Sequence, residues 1–272
     1  MTVGHPSIAI VVTFFGRAPF WLPAFLLSCR ENRDVQWLIY TDLDVSADVP
    51  PNVALKRMGV SELNLRSSEI VGTKIEIQVQ RRMLCDLKPA YGLIFADDLQ
   101  PFDFWACSDL DIVWGSVRQF VTDALLRDHD IVSSRSNKLS GHFTLFRNTA
   151  TINRLFEQIP NVKAAMASSH YAHLDEREFT RYLKERLDSA APPASPRVYW
   201  REEWTTNAAY QKALGDAAAD SLWWRDGRTF GHDGRELMYI HFHKLKQSMD
   251  TINFRMADSP RAFRINRHGF LA

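Results

Sequence analysis

The run IAIVVTFF, residues 8–15, is the strongest constraint on how this chain folds: it is uncharged, rich in β-branched residues, and bounded by Gly4 and Gly16. Apolar character without alternation, in so short a run, is what a strand needs when both of its faces are covered. The run is too short to span a bilayer. It also lacks a basic region before it and a small-residue cleavage site after it, so no signal peptide is read. PFWLPAFLLSCREN (19–32) supplies a covering helix, with Pro23 tolerable in its first turn. VQWLIYTDLD (35–44) reads as a second buried strand and NVALKRM (52–58) as a weaker third. Strand, helix, strand predicts a parallel βαβ opening and an α/β protein.

Helical spacing continues downstream. A helix is predicted over Ile75–Leu87, ending near Lys88 because Pro89 disfavours helical backbone at the residue before it. Val117, Phe120, Val121, Ala124 and Leu125 form one apolar helix face, as do Ile152, Leu155, Phe156 and Ile159, and then Phe179, Tyr182, Leu183 and Leu187. DIVSS (130–134) and GHFTLFRN (141–148) read as strands, and SAAPPASP (189–196) as the clearest loop. RVYWREEW, SLWWRDG and RELMYIHFHKLK are short aromatic-rich strand candidates beyond it. Without a repeat or low-complexity tract, residues 1–272 read as one α/β domain with a mainly parallel sheet flanked by helices and an elaborated C-terminal third.

The formal net charge of +1 gives no global field to draw nucleic acid or membrane. Three cysteines, odd in number and far apart in apolar sequence, argue for a reducing compartment, and a cytoplasmic location is expected. The basic tail with Arg261, Arg264 and Arg267 reads as a solvated terminus, with at most peripheral contact to anionic lipid.

FWACSDLDIVWGS (104–116) sets two carboxylates inside apolar, aromatic sequence. In an extended strand Asp109 and Asp111 project to one face while Leu110 points to the core. Like charges so placed need a compensating partner, and a hard cation such as Mg²⁺ or Mn²⁺ with a diphosphate fits. The plainer alternative is one Asp capping the following helix with the other in solvent. YTDLDVS repeats the pattern at Asp42 and Asp44. Both copies resemble the D-x-D-x-[TV] nucleophile motif of haloacid-dehalogenase-like phosphatases, although that motif normally sits on a chain's first strand, and IAIVVTFF precedes both. In LMYIHFHKLK (237–246), alternation puts Tyr239, His241 and His243 on one face and Ile240 and Phe242 on the other. A histidine there could complete a mixed oxygen and nitrogen metal shell, and Lys244 or Lys246 could neutralise a leaving diphosphate.

A buried first strand, a central D-x-D and a C-terminal His with nearby Lys resemble the metal-dependent nucleotide-sugar glycosyltransferases of the GT-A fold. MLCDLKPAYGLIF (83–95), DFWACSDLDIVWG (103–115) and SGHFTLFRN (140–148) resemble, more narrowly, a poorly characterised bacterial group of glycosyltransferases linked to surface-polysaccharide synthesis. The resemblance implies a GT-A-like fold, with residues 1–150 binding the nucleotide sugar and residues 151–272 forming the acceptor side. It implies a UDP-sugar donor, a glycan or glycolipid acceptor, and Mn²⁺ or Mg²⁺ held by Asp109, Asp111 and His241 or His243. Thr13 and Phe14 would lie beside the base with Asp42, and Arg82, Lys88, Gly141, Lys244 and Lys246 would contact the donor. Asp175, Glu176 and His142 are the candidates for acid/base or hydroxyl contacts. Trp200, Trp204, Trp223 and Trp224 could stack on the acceptor or fill core. A phosphatase, or a sugar-nucleotide binder without activity, is the alternative.

Overall fold

The computed structural model describes residues 4–44, 49–78, 83–188, 195–206 and 221–272. Strand β1 (Ile8–Phe14) lies between β2 (Val35–Thr41) and β4 (Phe104–Ser108), parallel to both, and β3 (Val53–Arg57) is parallel to β2. Ile8, Ile10 and Val12 enter one core cluster, and Ala9 and Val11 enter another on the opposite face. The uninterrupted apolar run is thus explained by burial on two sides. The sheet continues through β7 (Phe143–Arg147), antiparallel to β4, then β6 (Ile131–Ser133) and β8 (Val198–Tyr199), giving the order β3-β2-β1-β4-β7-β6-β8. It is a mixed, mainly parallel sheet flanked by helices, and the fold is α/β.

Two further layers build the C-terminal third. A short ribbon pairs β5 (Ile112–Trp114) antiparallel with β12 (Tyr239–His241), with Ile112 opposite His241. A six-stranded sheet runs β11 (Glu236–Leu237), β10 (Arg228–Phe230), β9 (Leu222–Arg225), β14 (Ala262–Ile265), β15 (Gly269–Leu271) and β13 (Thr251–Ile252). Its inner face packs against Ala24 and Leu27 of the helix Leu22–Arg30. Among the described residues, no helix is long and apolar enough to cross a membrane.

Several helices differ from expectation. The described part of 75–87 is helical only over Met83–Leu87, and Ile75 and Ile77 are buried in non-helical chain that Asn64 and Ser68 hold by side-chain hydrogen bonds. The α-helix ends at Leu87, next to Lys88 as expected, but Pro89 does not stop the chain from turning on. It enters a 3₁₀ turn, Lys88–Ala90, in a position where its missing N–H costs nothing. The 117–125 face is split into Val117–Phe120 and Asp123–Asp128, because Thr122 accepts a hydrogen bond from the Leu125 N–H and starts a second helix. The 152–159 face is split likewise, into Ala150–Asn153 and a 3₁₀ turn, Leu155–Gln158.

Candidate functional site

Asp109 and Asp111 occupy the bend between β4 and β5, not the body of a strand. The chain leaves the main sheet there to join the ribbon. Leu110 still goes to the core, leaving both carboxylates on the other side. Neither caps a helix, since the next one starts after Ser116 without a side-chain cap. The Phe242 N–H donates to the Asp111 carbonyl at 3.1 Å, so the acid and the histidine strand are joined by backbone.

Three potential ligands converge as a result. Single ligand atoms of Asp111, His241 and His243 all lie within 4.8 Å of one another. His241 Nε2 is 3.3 Å from Asp111 Oδ1 and 3.8 Å from Asp109 Oδ2, and His243 Nδ1 is 3.7 Å from Asp111 Oδ2. Lys246 Nζ donates to Asp111 Oδ2 at 2.6 Å. Burial alone would raise Asp111, but His241, His243 and Lys246 hold its carboxyl well below the usual range. One ionised carboxylate and two imidazoles form a donor set that fits a divalent ion of intermediate hardness, such as Mn²⁺.

Lys88 secures the other acid. Its side chain is only 4% exposed, and Nζ donates to Asp109 Oδ1 and to the Gly141 carbonyl, both at 2.5 Å. Burial would lower Lys88, yet Asp109, aided by Asp175, outweighs it and keeps the ammonium charged. Across Gly141 stands Asp175, in a single π-helical turn, Leu174–Glu178. Tyr171 donates to its Oδ1 at 2.8 Å. Burial pushes the Asp175 carboxyl up to about 7 against the lowering influence of Lys88 and Tyr171. Glu176 Oε1 accepts the Gly141 N–H at 3.1 Å.

His142 lies behind the cluster, its ring centroid 4.2 Å from that of His241. Its Nδ1 is 2.6 Å from the Tyr239 hydroxyl and 3.0 Å from Ser140 Oγ, and Tyr239 also meets Ser134 Oγ at 2.6 Å. Burial, then the neighbouring His241, pushes His142 well below its ordinary value, so it is a neutral ring.

These groups line one cavity of about 510 Å³. Of the residues singled out from sequence, Thr13, Phe14, Lys88, Asp109, Asp111, Gly141, His142, Asp175, Glu176, His241, His243 and Lys246 face it. Asp42 does not; it is exposed and accepts the Gly16 N–H at 2.8 Å. Lys244 is exposed and lies outside the cavity, because the chain turns into a 3₁₀ segment, Leu245–Gln247, after β12. Arg82 lies outside the described residues. Trp21, Cys85, Tyr171 and His173 line the cavity without having been singled out. Burial raises the Cys85 thiol, which argues against a nucleophilic role at neutral pH. A second cavity of about 710 Å³ shares His173 and Glu176 with the first. None of Trp200, Trp204, Trp223 and Trp224 lines either cavity, and Trp204 and Trp224 are core.

No curated protein matches the chain in sequence. Among solved structures it is similar to mouse xyloside xylosyltransferase 1 in its apo form, with 10% identity, a TM-score of 0.46, and coverage of 76% of this chain and 90% of that one. It is similar also to the apo bifunctional glycosyltransferase WbbM, with 11% identity, a TM-score of 0.38, and coverage of 75% and 40% respectively. A glycosyltransferase involved in glycosylation of the major capsid of PBCV-1 aligns over 93% of this chain and 97% of that one, at 8% identity and a TM-score of 0.45. The chain belongs to a family of unknown function, DUF6625, whose family model matches residues 10–272.

Proposed function

We propose that this protein is a glycosyltransferase that moves a sugar from a nucleotide diphosphate sugar, a UDP-sugar in the first instance, to a hydroxyl of a glycan or glycolipid. The observation that carries this reading is the convergence of Asp111, His241 and His243 beside two lysines in one cavity. Asp111, His241 and His243 would hold Mn²⁺ or Mg²⁺ with Asp109 adjacent, and the ion when bound supplies Lewis-acid stabilisation of the departing diphosphate. Lys246 is poised at the same carboxylate to share that negative charge. Lys88 fixes Asp109 against the Gly141 loop, setting the donor side of the cavity. Phe14 and Trp21 offer ring surface to the base. Asp175, poised to titrate near neutrality, is the group suited to take the acceptor hydroxyl proton. Glu176 and His173 border both cavities, which supports reading the second cavity as the acceptor side. Neutral His142 orients His241 and does not act as a base.

The test is a thermal-shift screen of nucleoside diphosphates with and without Mn²⁺, on the wild type and Asp111→Ala. A diphosphate that raises the melting temperature only with metal, and only in the wild type, supports the reading, because selective binding to the native state stabilises by mass action. Sugar nucleotides follow, and binding without turnover in the presence of a broad glycan panel would indicate a binder. Release of phosphate from a monoester, lost in Asp109→Asn, would instead favour a phosphatase.

A further inference from the structure

The six-stranded sheet has one buried face and one open face. Leu222, Trp224, Phe263, Ile265 and Phe270 point into the core. Trp223, Arg225, Arg228, Phe230 and Arg264 alternate with buried neighbours along the same strands and point outward. Register aligns them, with Phe230 directly opposite Trp223 on one side and Arg264 opposite it on the other. Arg225 Cζ lies 5.8 Å and Arg264 Cζ 6.0 Å from the Trp223 ring centroid, and Arg228 Cζ lies 5.4 Å from that of Phe230. Arg228 is also neutralised by Glu236. Among the described residues no carboxylate is within ion-pair distance of Arg225 or Arg264.

We propose that this open sheet face docks on an anionic phospholipid surface. The guanidiniums lie against the rings, so what the face presents is fixed positive charge more than bare aromatic surface for stacking on a sugar. Each guanidinium has N–H donors arranged to match a phosphate group in bidentate fashion. Half-buried Trp223 supplies the amphipathic ring that favours a membrane–water interface. The face is an open sheet surface, and none of these five residues lines either cavity, as a site enclosing a soluble ligand would require. Charge agrees: residues 221–272 hold nine Lys and Arg against five Asp and Glu, within a chain of net charge +1. Contact of this kind is reversible and sensitive to salt.

Co-sedimentation with vesicles tests it. The full chain is expected to pellet with vesicles of equal parts phosphatidylcholine and phosphatidylglycerol, not with phosphatidylcholine alone, and to be released by high salt. The double variant Arg225→Glu/Arg264→Glu should lower partitioning at least about tenfold, since each basic residue near such a surface counts severalfold. Trp223→Ala should lower it as well. A charge-matched control at exposed sites outside this sheet, Lys74→Glu/Arg154→Glu, should change it by less than about threefold. If the double reversal melts early, Arg225→Gln/Arg264→Gln is read in its place. Failure to bind anionic vesicles, equal loss in the control, or retention on heparin with no vesicle binding would each overturn the proposal, the last in favour of an acidic polysaccharide.

Discussion

Lys246 Nζ donates to Asp111 Oδ2 at 2.6 Å, joining residues 135 apart in sequence in the lining of the cavity. The Asp111 side chain is 6% exposed, so an ionised carboxylate there depends on its partners. Lys246→Met removes one cation and leaves His241 and His243. The metal-free protein is expected to lose roughly 1–3 kcal/mol, the usual cost of leaving a buried polar group short of a partner. On the proposed function, saturating Mn²⁺ should recover most of the loss, because the ion would neutralise the same oxygens. Chemical denaturation with and without Mn²⁺ measures both, and an equal loss in the two conditions would show that Asp111 does not serve the metal.

The Asp175 carboxyl, raised to about 7, ties stability and activity to pH in opposite directions. A folded-state value above the unfolded one means that the native chain binds more protons in between. The stabilisation is therefore full below about pH 4 and is lost as pH rises through about 7. Between pH 5 and 8 the wild type should lose stability relative to Asp175→Asn, whose amide does not titrate. On the proposed function, transfer should rise over the same interval as Asp175 ionises, and Asp175→Asn should cut turnover on the order of a hundredfold or more. Melting curves and pH–rate profiles of the two proteins check this.

The acid pair and the strand histidines were legible because both rest on simple periodicities. Leu110 needed a core and the acids needed the opposite side, whether the local backbone was strand or bend. His241 and His243 kept their common face for the same reason, with Ile240 fully buried before them and Phe242 fully buried between them. Lys244 and Lys246 escaped that logic once the strand gave way to a 3₁₀ turn, where alternation no longer applies. Trp21, Tyr171 and His173 were hidden because each is brought to the cavity by tertiary packing of a connection. His173 even adopts the left-handed region, at φ 60°. The HYAHLDERE stretch, with rings just ahead of the acids, was the available signal for two of them.

Tyr239 links the ribbon to the neutral His142, and its hydroxyl also meets Ser134. Tyr239→Phe keeps the packing and removes both contacts in a fully buried place, at a cost of roughly 1–3 kcal/mol. Loss of the hydroxyl also removes the shorter of the two polar contacts that hold the His142 ring against His241, leaving Ser140, so Mn²⁺ affinity should fall up to about tenfold, as when an outer partner of a metal ligand is lost. Titration of Mn²⁺ by calorimetry separates the two effects. Unchanged affinity in a destabilised variant would confine Tyr239 to packing.

On the proposed function, Gly141 gives the sharpest separation between holding a donor and transferring its sugar. A Cβ at this position would lie 2.1 Å from Asp175 Oδ2 and 3.1 Å from Glu176 Cγ. Gly141→Ala therefore expels the Asp175 carboxylate from the place where Tyr171 holds it, while the backbone needs no conformation that alanine avoids. The Gly141 carbonyl keeps its bond from Lys88, and the nearest neighbours of the added Cβ are atoms of Asp175 and Glu176, not of Asp111, His241 or His243. Diphosphate binding with Mn²⁺ should stay within about threefold of wild type, whereas turnover should fall at least about tenfold, the loss expected when an acid/base group is misplaced. Because both changes act through one carboxylate, Gly141→Ala/Asp175→Asn should be scarcely worse than Asp175→Asn alone. Additive losses in that double variant would mean that Gly141 serves the reaction by close approach to the sugar, and the proton-transfer role assigned to Asp175 would have to be argued elsewhere.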